Sequence, residues 1–448
     1  MSSTLRRQAI NLYERVTGRH VMARLAELNR IQWLSREELL AYQQDKLHRL
    51  LKYAYTFVPY YRRSFEEVGF KPDAILTDPA AFQKIPTISK AVVNDNFDDL
   101  VTTDPSRQKD LAQNSTGGST GQPLIFIQDN NFRDYVMAGV HWHLQYTGWQ
   151  FGECHAYIWG ADYEVATQKK VRALLMNWSL NRFVTNAFTL SEESMTAFVQ
   201  EIRRRRPGVL IGYTSALERF AEFVQAHQLH DIKFSGITST AEVLYPYQRE
   251  LIERTFDCEV LNRYATRELG GIACECPEHM GLHIGVGEVY VEVLRDGVPA
   301  ATGEEGDIVV TNLNNYGMPF VRYHVGDVGQ LSDVVCRCGR GLPMMEVVHG
   351  RQTDMFKTRD GQAIHGEFFT HLFYGIGEVK QFQVVQKSYD HILVSIVEKS
   401  TLPPERMAFL ERAIKDVMNS DVEVEFQFLE SIPLKSSGKY RFTISEVH

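Results

Sequence analysis

The strongest constraint on the fold is a repeated change of hydrophobic pattern between about residues 110 and 345. Short β-rich runs alternate there with helical stretches, which is typical of layered α/β proteins. The pattern predicts strands around 126–127 and at 208–213, 288–294 and 307–311, and helices at 132–146 and 216–227. We therefore predict the α/β fold class, with most of the chain in one large layered domain.

Both ends of the chain differ from this central pattern. The first 75 residues have apolar positions at steps of three and four, which predicts a mainly helical lead-in. After residue 350 we predict strands at 381–386, 392–397 and 422–429 and a helix at 405–418, which together make a small α+β unit. The predicted domains are a large N-terminal domain over 1–349 and a small C-terminal domain over 350–448.

Composition narrows the class of protein. The chain has 448 residues, 44% hydrophobic and 23% charged, with a net charge of −8, which excludes a disordered chain and argues against a nucleic-acid binder. No apolar run approaches the ~18 residues of a membrane span. Six cysteines are too few for a disulfide scaffold. We expect a cytoplasmic protein without stable membrane insertion; basic residues near the N-terminus suit a solvated helix face or a membrane-surface helix.

A serine, threonine and glycine run at 115–123 (STGGSTGQP) is the sharpest chemical feature. Its glycines let the backbone curl and turn its amides toward an anion, and its hydroxyls add donors. This composition predicts a loop that holds polyphosphate, and a flexible linker is the alternative. It is not a P-loop of nucleotide hydrolases, because no lysine follows the last glycine.

Four more segments follow in order: 262–268 (NRYATRE), 316–327 (YGMPFVRYHVGD), 350–355 (GRQTDM) and 433–441 (PLKSSGKYR). With the loop, this set resembles the adenylate-forming (ANL) enzymes, and within them the phenylacetate–CoA ligase branch, closest to its CapK-like capsular polysaccharide biosynthesis members. The resemblance implies an ATP-dependent ligase that activates a carboxylic acid as an acyl-adenylate and transfers the acyl group to an acceptor. It also implies that the small C-terminal domain moves about a hinge.

The resemblance assigns nucleotide contacts to several motifs. The β- and γ-phosphates would be held by the loop residues Ser115, Thr116, Gly117, Gly118, Ser119, Thr120 and Gly121. Many relatives have lysine where this chain has Gln122, so one cation is absent. Asp327 would grip the ribose hydroxyls with Arg351, because an ionised acceptor suits two O–H donors.

Glu268 would hold Mg²⁺, since a carboxylate suits a hard, oxygen-seeking ion. Tyr264 would stack near the adenine, and Glu242 would either line the adenine pocket or have a structural role. Arg322 would either face phosphate or support Asp327.

The resemblance also implies a catalytic lysine and a hinge. Lys439 would swing in to balance charge on the α-phosphate and on the attacking carboxylate, a task that suits a flexible ammonium. The hinge position is Thr353, where relatives commonly have aspartate.

Four of the six cysteines form two short clusters, 274–276 and 336–338, with histidines at 279 and 283. Thiolates and imidazole are the ligands of structural Zn²⁺, and some members of the branch carry such a cluster. We predict a zinc site of Cys276, His283, Cys336 and Cys338, with Cys274 and His279 as substitutes. The alternative is buried thiols without metal, and the isolated Cys154 and Cys258 are predicted to be core residues.

The acid and the acceptor are less constrained. An aromatic-rich stretch would either form an acyl pocket or pack as core; its members are His141, Trp142, His143, Tyr146, Trp149 and Trp159. Residues 212–215 either cap a helix or lie near that pocket. The acceptor would be coenzyme A or an amine, of an amino acid or a polysaccharide amino sugar. A decayed nucleotide-binding protein is the non-enzymatic alternative, and a homodimer would fit the family.

Overall fold

The computed structural model describes residues 10, 14, 16–116, 124–160, 177, 180–187, 189–349, 355–373, 376, 378–432 and 442–447. The chain divides into two compact units. Unit 1 consists of Met1–Asn114, Ile125–Glu153 and Leu261–Gly350. Unit 2 consists of Ser115–Leu124, Cys154–Val260 and Arg351–His448.

The helices and strands alternate through most of the chain. The α-helices are α1 (Val21–Ile31), α2 (Arg36–Phe57), α3 (Pro59–Glu67), α4 (Lys90–Asp95), α5 (Phe97–Leu100), α6 (Asn130–Leu144), α7 (Glu192–Arg205), α8 (Thr214–Ala226), α9 (Pro246–Phe256), α10 (Gly366–Leu372) and α11 (Pro404–Met418). The strands are β1 (Ala112–Ser115), β2 (Ile125–Gln128), β3 (His155–Trp159), β4 (Arg182–Asn186), β5 (Thr189–Leu190), β6 (Val209–Tyr213), β7 (Gly236–Thr240), β8 (Val260–Thr266), β9 (Gly270–Glu275), β10 (Leu282–Ile284), β11 (Val289–Arg295), β12 (Val298–Pro299), β13 (Gly306–Asn312), β14 (Tyr323–Ser332), β15 (Met344–His349), β16 (Met355–Lys357), β17 (Ala363–His365), β18 (Val379–Ser388), β19 (His391–Glu398), β20 (Glu423–Phe428) and β21 (Thr443–Ser445).

Unit 1 combines helices α1–α6 with an antiparallel array of strands in the order β12-β11-β13-β14-β15-β10-β9-β8. Helix α2 begins at a capping box, in which the Ser35 side chain accepts from the Glu38 amide and the Glu38 carboxylate accepts from the Ser35 amide. Its buried face carries Leu47, Leu50 and Leu51, at the three- and four-residue steps of an amphipathic helix.

Unit 2 contains parallel strands in the order β4-β3-β6-β7, connected by helices. Every residue of β6 is buried, which explains why its sequence is a continuous apolar run and not an alternating one. Unit 2 also contains the sheet β20-β19-β18-β21 and the small antiparallel set β16-β17-β5. One hydrophobic core joins Phe198 and Phe220 with Phe356 and Phe382 from the C-terminal part of the chain.

The predicted α/β fold class is confirmed, and the predicted strands and helices lie within a few residues of the observed ones. The division into domains over 1–349 and 350–448 stays a prediction. None of the described helices is both long and apolar enough to cross a bilayer.

Candidate functional site

The hairpin of β8 and β9 carries two of the predicted nucleotide-site residues. Tyr264 lies on β8 opposite Ala273, and a bulge follows at Ala265. Glu268 lies in the tight turn that connects the two strands, and only 3% of its surface is exposed. Burying a carboxylate is costly unless it has polar partners, so this position is unusual for a turn residue.

Two contacts join this hairpin to strand β14. The Tyr264 hydroxyl donates to Asp327 Oδ2 at 2.8 Å. The Tyr323 hydroxyl lies 3.5 Å from Glu268 Oε1, and Tyr323 is fully buried. Residues from two predicted motifs, about 60 positions apart in the chain, therefore lie side by side within unit 1.

A buried asparagine network, which was not predicted from the sequence, lies beside this hairpin. Asn312, Asn314 and Asn315 are each at most 2% exposed. Asn315 donates to the carbonyls of Ile127 and Met318 at 2.8 and 3.1 Å. Three asparagines within four residues, directly after an apolar strand, were the available signal, because buried amides must be hydrogen-bonded and therefore connect backbone segments.

Arg322 has neither of its two predicted roles. Its guanidinium is buried and forms a two-pronged ion pair with Glu292, at 3.0 Å for both contacts. It also donates to the carbonyls of Gln83 and Ile85, at 2.9 and 2.6 Å. These partners use four donor contacts inside unit 1, so Arg322 holds the loop of residues 83–85 against the sheet and does not support Asp327.

The described ends of the serine, threonine and glycine loop lie against each other. The Thr116 amide donates to the Leu124 carbonyl at 2.9 Å, and the Leu124 amide donates to Thr116 Oγ1 at 3.1 Å. Thr116 is buried and Ser115 half-buried. Gly117, Gly118, Ser119, Thr120 and Gly121 lie outside the described residues. Thr116 and Leu124, which flank the loop, are therefore joined by two hydrogen bonds.

Glu242 has a structural partner in unit 2. Its carboxylate accepts from the Ser215 amide at 2.7 Å and from the Ser215 hydroxyl at 3.2 Å, at the first turn of α8. A carboxylate at a helix N-terminus satisfies a free amide and complements the helix dipole. The prediction that a serine or threonine within 212–215 caps this helix is wrong, since the N-cap residue is Tyr213 and has no side-chain cap.

Arg351, Thr353 and Lys439 lie outside the described residues. Their roles therefore rest on the sequence motifs alone.

The four predicted zinc ligands converge in unit 1. Cys276 follows β9 and His283 lies on β10, while Cys336 and Cys338 lie in the loop between β14 and β15. The two hairpins are adjacent because β10 pairs with β15. The four ligand atoms all lie within 4.8 Å of one another.

The separations of these atoms fit a tetrahedral site. Cys276 Sγ lies 3.6 Å from Cys336 Sγ, and His283 Nε2 lies 3.4 Å from the Sγ atoms of Cys276 and Cys338. Ligands at tetrahedral angles around zinc, with ordinary Zn–S and Zn–N bonds, would be about 3.8 Å apart for two sulfurs and about 3.6 Å for sulfur and nitrogen. Burial, reinforced by Arg340, lowers the pKa of His283 to about 4, which leaves the imidazole in its neutral, metal-binding form.

The two proposed substitutes are not part of this cluster. Cys274 lies on β9 opposite Arg263 and faces a buried cavity with His143 and Glu288. Burial raises the pKa of Cys274 well above its ordinary value. His279 Nδ1 instead lies 2.9 Å from Glu275 Oε1.

The aromatic stretch packs mainly as core. Trp142, Tyr146 and Trp149 are each at most 7% exposed in unit 1, and His141 and His143 are also buried. The Trp142 indole and the Tyr146 hydroxyl both donate to Gln32 Oε1, at 3.2 and 3.1 Å. Trp159, in unit 2, is half-buried, with its ring 4.7 Å from that of Tyr213.

Cys154 and Cys258, predicted to be isolated core residues, are half-buried and pack against the hydrophobic core of unit 2.

Sequence comparisons find relatives along most of the chain. The family described as CapK C-terminal domain matches residues 356–446. Protein CapK of Staphylococcus aureus is 23% identical over 375 residues, which cover 82% of this chain and 81% of that protein. Phenylacetate-coenzyme A ligase of Escherichia coli is 26% identical over 341 residues, which cover 74% of this chain and 76% of that enzyme.

Solved structures share the fold. 2-Hydroxyisobutyryl-CoA ligase, crystallised with 2-HIB-AMP and CoA in the thioesterification state, has a TM-score of 0.62 at 19% identity. The match covers 94% of this chain and 92% of that enzyme. The same ligase in its post-adenylation state has a TM-score of 0.61 and covers 93% of this chain. The likeness therefore establishes one common fold for almost the whole chain.

Proposed function

We propose that this chain, a homologue of CapK and the phenylacetate–coenzyme A ligases with the fold of the adenylate-forming ligases, is an ATP-dependent, AMP-forming acid ligase. In the first step a carboxylate oxygen attacks the α-phosphorus of ATP, and pyrophosphate leaves. In the second step the acceptor attacks the acyl carbon, and AMP leaves.

One observation carries this proposal. Glu268 and Asp327, which the family motifs assign to Mg²⁺ and ribose, belong to two segments joined by the Tyr264–Asp327 hydrogen bond. The second contact of the same two segments, between Tyr323 and Glu268, supports the same arrangement. A decayed protein would have no reason to keep both carboxylates buried at these positions, since an unused buried carboxylate costs stability.

Each described residue would make a distinct contribution. Asp327 would accept from the ribose hydroxyls, with Tyr264 orienting its carboxylate. Glu268 would supply an oxygen ligand to the Mg²⁺ that accompanies ATP. Thr116 would fix the base of the phosphate loop. The reaction needs charge neutralisation and positioning more than a protein nucleophile. The Mg²⁺ that Glu268 would hold would neutralise charge, and Asp327, Tyr264 and Thr116 would position the nucleotide.

Coenzyme A is the acceptor we propose. The named ligases among the relatives and solved structures form coenzyme A esters, whereas no observation on this chain favours an amine. The two acceptors differ in the second step alone, so the same first-step assay serves both.

We also propose that Cys276, His283, Cys336 and Cys338 hold one structural Zn²⁺. The support is the convergence of four such ligands at tetrahedral separations. Zinc held by these four ligands would have no coordination position left for water or substrate. This suits a structural site that connects two hairpins and takes no part in the reaction.

The experiment that tests the function is pyrophosphate release with ATP, Mg²⁺ and a panel of aryl and short-chain carboxylic acids. We expect release that depends on the acid and that accelerates when coenzyme A is added. Acceleration by amines and not by coenzyme A would show that the acceptor is an amine. ATP binding without release for any acid would overturn the ligase proposal.

Lys439→Ala sharpens this test. Removing one electrostatic contact to a transition state costs about 10²–10³-fold in rate, so we expect adenylation to fall by that factor while ATP affinity changes little. Lys435→Ala removes the same charge from the same segment and serves as the matched control. Equal losses in the two variants would contradict the role of Lys439.

A further inference from the structure

The turn that carries Glu268 is held by three hydrogen bonds to its backbone. The Leu269 amide donates to Thr266 Oγ1 at 3.2 Å. Gln128 Nε2 donates to the Arg267 carbonyl at 3.3 Å. Asn312 Nδ2 donates to the Leu269 carbonyl at 2.6 Å, the shortest of the three. The residues before and after Glu268 are therefore both fixed by side chains from other parts of unit 1.

Asn312 cannot turn its amide away from this contact. Its Oδ1 accepts from the amides of Asn314 and Asn315, at 2.9 and 2.8 Å, which uses both lone pairs of the oxygen. With the oxygen committed, the NH₂ group must point at Leu269. The side chain is 2% exposed, so water does not compete for either end.

Asn314 provides a natural comparison. It is equally buried and belongs to the same network, but its Nδ2 donates to the carbonyls of Gly287 and Glu288, at 3.0 and 3.3 Å. Within the described part of unit 1 its side chain forms no hydrogen bond with the turn at 267–269. Removing either asparagine takes one buried amide from the network, but of these two side chains Asn312 is the one that holds the turn.

We propose that Asn312 is a positioning residue for Glu268. By fixing the Leu269 carbonyl it keeps the Glu268 carboxylate where it can bind the Mg²⁺ of MgATP. The inference rests on the proposed function, because it takes from that proposal the role of Glu268. A hydrogen bond one residue from the carboxylate acts on it through the backbone, so its loss should alter the Mg²⁺ dependence of ATP binding.

The test measures ATP binding by calorimetry over a range of Mg²⁺ concentrations, with acid-dependent pyrophosphate release measured in parallel. Asn312→Ala removes the bond to Leu269 and the acceptor of the Asn314 and Asn315 amides. We expect the Mg²⁺ concentration for half-maximal binding to rise about tenfold, as loss of the bond to Leu269 allows. For Asn314→Ala we expect a change below about twofold. Equal shifts in the two variants would overturn the proposal.

A second comparison separates positioning from general loosening. In a Glu268→Gln background, Asn312→Ala should raise the Mg²⁺ concentration for half-maximal binding by less than about a further twofold, because the carboxylate that Asn312 positions is already gone. Full additivity would overturn the proposal. If Asn312→Ala does not fold, Asn312→Asp keeps the acceptor for the two amides and removes the donor to Leu269. Binding that responds as expected in a protein without acid-dependent turnover would refute the ligase proposal and leave this inference standing.

Discussion

The Tyr264 hydroxyl can be removed without disturbing its ring, which isolates its contact with Asp327. Tyr264→Phe deletes a hydrogen bond to an ionisable group, a class worth about 1.5–3 kcal/mol. We expect the KM for ATP to rise about tenfold, because Asp327 loses its orientation, while kcat changes much less. Steady-state kinetics with varied ATP measures both.

Tyr55→Phe is the control for this substitution. Tyr55 also donates from its hydroxyl to a carboxylate, that of Glu66 at 3.1 Å, on the exposed surface of unit 1. Its loss should leave both kinetic constants unchanged. A fall in kcat with unchanged KM in Tyr264→Phe would contradict the ribose-binding role of Asp327.

Glu288 predicts a specific pH dependence of stability. Burial raises the pKa of its carboxyl from 4.5 to about 8, against the opposing charges of Arg263 and Lys46. The folded state therefore keeps a proton that the unfolded chain has lost, and the stabilisation is complete below pH 4.5 and lost as the pH rises to about 8. We expect Glu288→Gln to gain stability relative to wild type across this window, measured by urea unfolding at pH 5 and pH 8.

Other buried groups titrate in the same part of unit 1, and the comparison removes them. Burial lowers the pKa of Lys46 to about 7 and that of His143 to about 3. Both are present in wild type and in Glu288→Gln, so their effects cancel in the difference between the two proteins, except for the charge interaction of Lys46 with Glu288 itself. Cys274 also faces the cavity, and burial holds it protonated. A difference in stability that does not vary with pH would contradict the pKa of Glu288.

Arg322 shows what a motif does not determine at the scale of a residue. The sequence locates it correctly within the motif at 316–327, five residues before Asp327, but spacing along a strand gives only the side of the sheet. Its φ of 54° lies in the left-handed region, just before β14 begins. Local backbone geometry therefore decides that the guanidinium turns inward to Glu292, and no periodicity predicts that.

At the scale of secondary structure, the proposed zinc cluster lies on two hairpins, β9–β10 and β14–β15, and the sequence predicted none of their four strands. The cysteine and histidine residue types, together with the family resemblance, indicated the four residues whose ligand atoms converge. The pairing of β10 with β15 brings them together, with His283 opposite Met344. Two short strands about 60 residues apart carry too little pattern to predict that pairing.

Metal content tests the cluster directly. We expect about one zinc per chain by elemental analysis of purified protein. Cys336→Ser should lose the metal and lower the melting temperature, since the two hairpins lose their cross-link. Cys258→Ser, which changes a half-buried thiol outside the cluster, should do neither. A folded, active preparation without metal would contradict the proposed zinc site.

The loop that holds Cys336 and Cys338 also contacts the end of α1. The Gly341 amide donates to the Gln32 carbonyl at 3.0 Å, and Arg340 Nε donates to Gln32 Oε1 at 2.8 Å. A Cβ at position 341 would lie 2.0 Å from the Leu34 carbonyl oxygen, so only glycine fits this approach. Hydrogen exchange at residues 32–34 should therefore accelerate in Cys336→Ser.

At the scale of the whole molecule, the sequence predicts a change near residue 350 because the spacing of strands and helices changes there. It does not predict that separate stretches of the chain alternate between the two units. Unit 1 uses three separate stretches and unit 2 another three, and residues 154–260 share a core with the C-terminal part. Periodicity describes each element by itself, whereas long-range packing depends on which elements meet.

Thr353→Pro tests the predicted hinge. Proline fixes φ near −65°, whereas a hinge must change its backbone angles between the two half-reactions. We expect one half-reaction to fall at least about tenfold while the other changes less than about twofold. Single-turnover pyrophosphate release and thioester formation measure them separately. Thr353→Ser is the control, and equal losses in both steps would contradict a hinge at this position.

The interleaved chain has a consequence for the order of events on the ribosome. Unit 1 needs β15, which ends at His349, to complete its sheet. Translation adds about 5–20 residues per second, so the stretch from Met1 to His349 takes roughly 17–70 s to make. During that time the helices made first have no finished sheet to cover. The nascent chain therefore exposes apolar surface longer than a chain of successive compact domains would, and chaperones have that interval in which to bind it.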